Sequence, residues 1–384
     1  AAALARQGIT LSYAEARSMC SEKKQMEPFP DSKRIFLNGG ACFEAGERLV
    51  QPELAAVLDR IAKQGAKDFY EGETARILAS AMKANGGEIT LADLKAYKAV
   101  ERAPLKGMHR GYEILTAPSP SSGGVGILQM AEMLEGTGYE KYGAGSAAST
   151  HYIAEVMRRY FADRARYLGD GDFVKLPVAG LLDPAYIASR RASIDAGRAT
   201  PSDTISAGAP AGAEPAETTH FNVVDAEGNA VAMTYTINGS YGSGVTVPGL
   251  GFLLNNEMDD FAAEPGKTNM FGLVQGEANA IQPGKRPLSA MTPTIVSKDG
   301  KLFMVLGAPG RPRIISGVLQ VMLNVLDFGM NVQQAVDQPR LHHQWKPDTL
   351  YLERGFSPDT KVLLEKRGHK LAEISSVASV EAIV

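Results

Sequence analysis

Apolar positions recur at helical spacing through the first 105 residues. After Pro52, residues Leu54, Ala55, Leu58, Ile61 and Ala62 share one face, and Ala75, Ile77, Leu78 and Ala81 continue the pattern until Gly86-Gly87 stops it. Thr90-Leu-Ala-Asp93 has the form of a capped helix start leading to Leu94 and Tyr97. A short strand around Gly111-Tyr-Glu-Ile-Leu115 leads into Pro118-Ser-Pro-Ser-Ser-Gly-Gly124, and helix resumes over 126–168. From about 195 to 217 the composition is that of a linker; Ala207 to Ala216 reads AGAPAGAEPA with no apolar period. After Thr218 strands with turn signals are expected to about residue 308, interrupted by a Gly/Asn-rich stretch from Pro265 to Gly284. A helix follows over Gly317–Asp327, where Val318, Leu319, Val321, Met322 and Val325 recur at helical spacing. A helical half, a linker and a sheet-rich half point to α+β layers rather than alternating βαβ units. No internal repeat is visible.

The junction at Glu217-Thr218-Thr219-His220 combines two signals. Asp225-Ala-Glu-Gly-Asn229 is a turn cluster between two β-rich runs, which predicts an antiparallel hairpin. Pairing Val224 with Ala230 places Thr236 opposite Thr218, where Cβ atoms stand about 4.5–5.5 Å apart. Alternation sends Val231, Met233, Tyr235 and Ile237 to one face, and Thr234, Thr236 and Asn238 to the other. A threonine that opens a strand at the end of a linker suits a chain built to be cut there. Thr218 would then carry its hydroxyl beside a free α-amine with a pKa of roughly 7.7–8.0, suited to general-base work at neutral pH. A hairpin whose threonines serve strand propensity alone is the plainer reading of the same residues.

Composition narrows the classes. Hydrophobic residues make up 44% and charged residues 22%, which suffices for a large core, and a net charge of −3 without a basic run argues against nucleic acid as a partner. No apolar stretch nears the roughly 18 residues that span a membrane. Two cysteines exclude a disulfide-rich scaffold and a Cys-based zinc cluster, and leave the redox compartment open. Leu253-Leu-Asn-Asn-Glu257-Met-Asp-Asp260 ends an apolar strand in three carboxylates, which could bind a substrate ammonium, bind a metal, or form a solvated loop. Neither EF-hand spacing nor a nearby His supports the metal. Lys285–Pro293 and Gly307–Pro312 are turn-rich and could aim backbone N–H groups at an anion. Ser121-Ser122-Gly123-Gly124 lacks the Lys-Ser/Thr of a P-loop, and no Gly-x-Ser-x-Gly elbow occurs. His342 and His343, adjacent on an extended chain, face opposite ways and suit packing. Neither cofactor nor metal is expected.

In order along the chain, Gln51-Pro52, Phe69-Tyr70-x-Gly72, Gly86-Gly87, Asp93-Leu94, Arg110-Gly111-Tyr112, Pro120-Ser-Ser-Gly-Gly124, Thr218-Thr-His220, Thr236-x-Asn238, Leu254–Asp260, Lys285–Ser289 and Pro339-Arg-x-His-His343 resemble the γ-glutamyltranspeptidase family of N-terminal-nucleophile hydrolases. The resemblance implies a four-layer αββα sandwich. It implies self-cleavage between Glu217 and Thr218, giving a large-subunit portion (1–217) and a small-subunit portion (218–384) that pair as a heterodimer within one sandwich. Thr218 would then attack a γ-glutamyl amide such as glutathione and pass the acyl group to water or to an amino acid or peptide acceptor. Thr236 would tune the nucleophile, and Gly310 would supply an oxyanion N–H. Asn238, Glu257 and Asp260 would hold the α-amino group, and Ser289 would bind the α-carboxylate. The stretch Pro265–Gly284 would be a lid, and the resemblance implies a periplasmic or secreted setting.

The chain departs from that family at several points. Ala290 replaces a usual serine, Gly310-Arg311 replaces Gly-Gly, and Phe271 stands where some members carry a lid tyrosine. Ala290 and Arg311 therefore border the expected substrate pocket with altered chemistry. Both ends read as cut, Ala1 inside a helical pattern and Val384 in a strand-like run, so the family's N-terminal arginine for the α-carboxylate and a closing C-terminal strand segment are expected outside this sequence. Related readings are a glutaryl-cephalosporin or poly-γ-glutamate-processing acylase, and a maturation-defective, non-catalytic paralogue or fragment.

Overall fold

The computed structural model describes residues 1–207, 219–267, 269, 273–310 and 312–384. They form two units, Ala1–Glu101 with Gly239–Asn256, and Arg102–Asn238 with Glu257–Val384, so the units do not follow the expected chain break. In the first unit the periodic segments are helices at Pro52–Gln64, with Pro at the first turn, and at Glu73–Ala84. Val57, Ala75, Leu78 and Leu94 pack with Val247 and Leu250. The Thr90 hydroxyl accepts from Asp93 N at 3.2 Å while the Asp93 carboxylate accepts from Thr90 N at 2.8 Å, the reciprocal cap that the sequence predicts for Leu91–Ala96. A second cluster, including Leu11, Met19, Phe36 and Leu49, lies beside a disulfide between Cys20 and Cys42, whose Cα atoms are 5.5 Å apart.

The second unit holds strands β1 (Leu105–His109) and β2 (Tyr112–Thr116) and helices α1 (Gly123–Leu134) and α2 (Ala147–Tyr167). Next come β3 (Thr219–Val224), β4 (Ala230–Tyr235), β5 (Thr294–Lys298), β6 (Lys301–Gly307) and α3 (Arg313–Leu326). β7 (Leu341–His342), β8 (Leu350–Glu353) and β9 (Leu371–Ile374) form a small sheet, and β10 is Glu381–Ile383. The helix expected over 126–168 is two helices, because glycines 136, 138, 143 and 145 take positive φ between them. Strands to residue 308 are found only as β3–β6; from 236 to 293 the described backbone makes isolated bridges and short 3-10 turns instead. Side-chain bonds to main chain hold that stretch, and such bonds leave no period in a sequence.

One sheet of order β10-β6-β5-β2-β1, antiparallel throughout, joins strands from both sides of the linker. The helical half thus contributes two of its five strands. Ile114, Val296, Met304 and Leu306 share one face and pack with Val125, Ile127, Ile315 and Leu319 of the helices. The hairpin β3–β4 packs on β6 and β5, and its contact at Gly307 has the opposite parity to Leu306, so it covers the other face. The layers of this unit therefore run helix, sheet, sheet. The outward side chains of the hairpin, Phe221, Val223, Val231, Met233 and Tyr235, are exposed.

Candidate active site

The hairpin has the expected register, Val224 opposite Ala230 through Thr219 opposite Tyr235. Its turn is built as the residues dictate: the Asp225 carboxylate accepts from Glu227 N (3.0 Å) and Asn229 N (2.8 Å), and Gly228 takes φ 85°. Glu217, Thr218, Phe271 and Arg311 lie outside the described residues. The strand that Thr218 precedes is fixed by His220. Its Nδ1 lies 2.8 Å from the Thr234 hydroxyl and its Nε2 2.8 Å from Asn222 Oδ1, so a neutral ring accepts at Nδ1 and donates at Nε2. Burial pushes its pKa down. The ring lies flat on Gly307, where any Cβ would overlap it.

Register then shows what shares that end of the sheet. Thr294, the first residue of β5, pairs with Thr116 at the end of β2 and with Leu306 near the end of β6. The segment before β5 (Ser289, Ala290), the loop after β2 (Pro118–Ser122) and the loop after β6 (Ala308–Gly310) therefore emerge together, beside the Gly307 that receives His220. Gly310 has φ 141°, with Ala378 and Val377 against it, and it precedes the N-terminal end of α3, which carries positive partial charge. Thr236 and Asn238 follow β4; Asn238 N donates to the Thr236 hydroxyl at 2.8 Å, and Asn238 is buried with φ 68°.

Ser289 is pinned by its main chain. Its N donates to Pro120 O at 2.8 Å, and its carbonyl accepts from Ser122 N and the Ser122 hydroxyl, both at 2.8 Å. Met291 N donates to the Ser289 hydroxyl oxygen at 3.1 Å, which leaves that hydroxyl proton to be given elsewhere. Ala290 is fully buried. The acidic residues stand on a 3-10 turn, Glu257–Asp260. Asn279 joins this turn to Ser289's neighbour: its amide N donates to Asp260 O at 2.5 Å, and its amide O accepts from Leu288 N at 3.1 Å. Burial, with Glu257 and then Asp259 beside it, pushes the Asp260 carboxyl up to about 11, and burial also raises Glu257. Carboxyls held this close away from water keep a proton, and a bound cation would take that proton's place.

His342 and His343 diverge as expected. His342 lies between Ser316 (2.8 Å) and Gln344 (2.9 Å), while His343 meets Asp348 at 3.2 Å. His151, Glu155 and His369 are a group spaced for a metal. Their bonding is already closed: His151 Nδ1 and His369 Nε2 are 2.9 Å apart, His151 Nε2 meets Asp195 O at 2.8 Å, and Glu155 accepts from Arg158, Arg159 and Thr200. Sequence reasoning missed Ser122 as a contact of Ser289, the bridge Asn279, the strand lock His220, and the buried Arg164. The only sequence signal for the last was a charged stretch, Arg158–Arg164, inside an apolar helix.

The sequence model of the family described as gamma-glutamyltranspeptidase matches residues 1–384. The glutathione hydrolase proenzyme of Escherichia coli (strain K12) is 48% identical over 382 residues, covering 99% of this chain and 66% of the relative. The acylase ACY 1 proenzyme of Pseudomonas sp. (strain SE83) is 41% identical over 350 residues, covering 91% and 60%. Among solved structures, a cephalosporin acylase from Bacillus halodurans superposes with TM-score 0.87 at 25% identity, covering 99% of this chain and 68% of that one. The chain thus spans 66% of the length of the glutathione hydrolase relative. The fold is the α+β sandwich of the N-terminal-nucleophile hydrolases, and the chain belongs to the gamma-glutamyltranspeptidase family.

Proposed function

We propose that this protein is a γ-glutamyltransferase and glutathione hydrolase that matures by cutting itself before Thr218. The observation that carries the reading is the convergence, at one end of one sheet, of the strand that Thr218 precedes, the Ser289 segment, the Gly310 loop and, through Asn279, the turn with half-buried Glu257 and buried Asp260. Thr218 Oγ attacks the preceding carbonyl, the acyl group moves from N to O, and water releases a free amino terminus. The freed α-amine, with a pKa of roughly 7.7–8.0, then takes the Thr218 hydroxyl proton as Oγ attacks a γ-glutamyl carbonyl. Thr236 orients the hydroxyl. Gly310 N–H and the N-terminal end of α3 stabilise the oxyanion. The amine leaves with a proton, and water or an amino acid or peptide amine attacks the acyl-threonine to complete turnover. Asn238, Glu257 and Asp260 receive the substrate α-ammonium, and Ser289 donates its hydroxyl to the α-carboxylate. Ala290 and Arg311 border that carboxylate end.

The two portions, 1–217 and 218–384, remain paired because the β10-β6-β5-β2-β1 sheet and its core take strands from both. The Cys20–Cys42 bridge supports maturation in an oxidising, periplasmic or extracellular compartment. Among the described residues no helix is long and apolar enough to cross a membrane.

Denaturing mass spectrometry of the purified protein should find a break before Thr218. Thr218→Ala should stay one chain and release no p-nitroaniline from its γ-glutamyl derivative; retained turnover overturns the nucleophile. A second reading, an acylase acting on glutaryl amides, is favoured by Ala290 in place of serine and by the acylase relative. Comparing γ-glutamyl with glutaryl anilides separates the two, since only the first offers an ammonium to Asp260.

A further inference from the structure

Ser122 stands at the N-cap position of α1, where a serine hydroxyl normally accepts from a free helix N–H. Here it makes no capping bond. Ser121 takes over instead, accepting from Gly123 N at 3.1 Å. The fully buried Ser122 hydroxyl is diverted in two directions: it lies 2.8 Å from Arg164 Nε and 2.8 Å from Ser289 O. A guanidinium nitrogen can only donate, so the Ser122 oxygen accepts from Arg164 and its one proton goes to the Ser289 carbonyl. The carbonyl can only accept, so both bonds run one way, and Arg164 Nε holds the Ser122 hydroxyl on that line. One helical turn earlier, Tyr160 OH donates to Ser122 O at 2.9 Å, so α2 grips the same residue twice.

Arg164 is also a fully buried charge, its guanidinium 5.7 Å from the Phe161 ring centre. Such a charge is costly to hold away from water. Its charge acts on Asp260 from α2, while Glu257 and Asp259 act on Asp260 from their own turn. Tyr160 and, from β7, His342 are further titratable groups among the described residues that interact with Arg164.

We propose that Arg164 is a positioning residue of the substrate pocket: through Ser122 it sets the Ser289 backbone, and its buried charge opposes that of the acidic turn at Asp260. The inference rests on the γ-glutamyl reading above and goes beyond it, because it makes one side chain responsible for both ends of the amino-acid moiety. Ser122→Ala removes only the relay hydroxyl, Arg164→Lys keeps the charge without the Nε bond, and Arg164→Met removes both. In the self-cleaved proteins, Ser122→Ala and Arg164→Lys should raise KM for the γ-glutamyl anilide roughly 10-fold with kcat within about 2-fold. Arg164→Met should raise it roughly 10-fold more, since losing a neighbouring cation makes the carboxyls harder to ionise for an incoming ammonium. Lowered thermal midpoints with KM unchanged in all three would reduce Arg164 to a packing role and overturn the proposal. If the parent protein shows no turnover, the γ-glutamyl reading fails and calorimetry with L-glutamate decides this one. Weaker binding by Ser122→Ala than by the parent supports it; equal binding, or none by the parent, sinks it.

Discussion

Asp260 is where a single side chain carries the most chemistry. Burial beside Glu257 and Asp259 pushes its carboxyl up to about 11, and under the proposed reading a substrate ammonium arriving there would supply counter-charge and ionise it. Asp260→Asn keeps the shape but not that response, so KM for γ-glutamyl anilide should rise roughly 10- to 100-fold. KM for any slow glutaryl turnover should move less than about 2-fold. Steady-state kinetics on the paired anilides checks this, and an unmoved γ-glutamyl KM would detach Asp260 from the ammonium. Candidates of this kind were visible in the sequence because their chemistry is local: three carboxylates in four positions, or a threonine between linker and strand. Arg164, Ser122 and Asn279 were not. Arg164 meets Ser122 across 42 positions and Ser122 meets Ser289 across 167, and no spacing rule spans such gaps.

At the scale of elements, the hairpin β3–β4 was readable down to its register, since Asp225, Gly228 and Asn229 dictate the turn and the turn dictates the pairing. Where the hairpin docks was not readable, because docking is decided by an absent side chain, Gly307, under the His220 ring. Gly307→Ala should push the hairpin off β6. Overpacking of this kind costs about 1–3 kcal/mol, which in a unit of this size lowers the melting midpoint by about 2–10 °C. Because Thr218 leads directly into β3, the first-order rate of self-cleavage should fall as well. Gly180→Ala, in an exposed helical turn with room for a Cβ, is the control. A Gly307→Ala protein that melts and matures like the control would show that His220 does not seat the hairpin. Outside Pro265–Gly284, the backbone between 236 and 293 was misread as strands for a related reason: bonds such as those of Ser289 and Lys285 to carbonyls and amides hold it one by one, and those have no period.

The whole molecule adds a pH dependence that follows from its buried charges. Strands β1 and β2 come from the helical half and β5, β6 and β10 from the sheet-rich half, so groups from both are sealed into one core. Among them, burial pushes His342 and His369 down to about 3 and His343 to about 4, while Asp260 is pushed up to about 11. Below about pH 6.5 the unfolded chain protonates the three histidines and the folded one does not, whereas above about pH 4 only the folded state keeps the Asp260 proton. Between those limits unfolding takes up three protons and releases one, so stability should rise with pH by up to about 2–3 kcal/mol per unit. His151 and His220, also lowered, steepen that limb, and Glu257, raised, opposes it. Above pH 7 the histidines are neutral in both states and the acidic pair dominates, so the sign reverses and stability falls by about 1 kcal/mol per unit. The maximum should lie near pH 6.5–7. Melting midpoints at pH 5, 6.5 and 8.5 and fixed ionic strength test this, and Asp260→Asn should flatten the alkaline limb while steepening the acid one. A midpoint as high at pH 5 as at 6.5 would mean that the three histidines accept protons in the folded state, and that the core around β7 admits water.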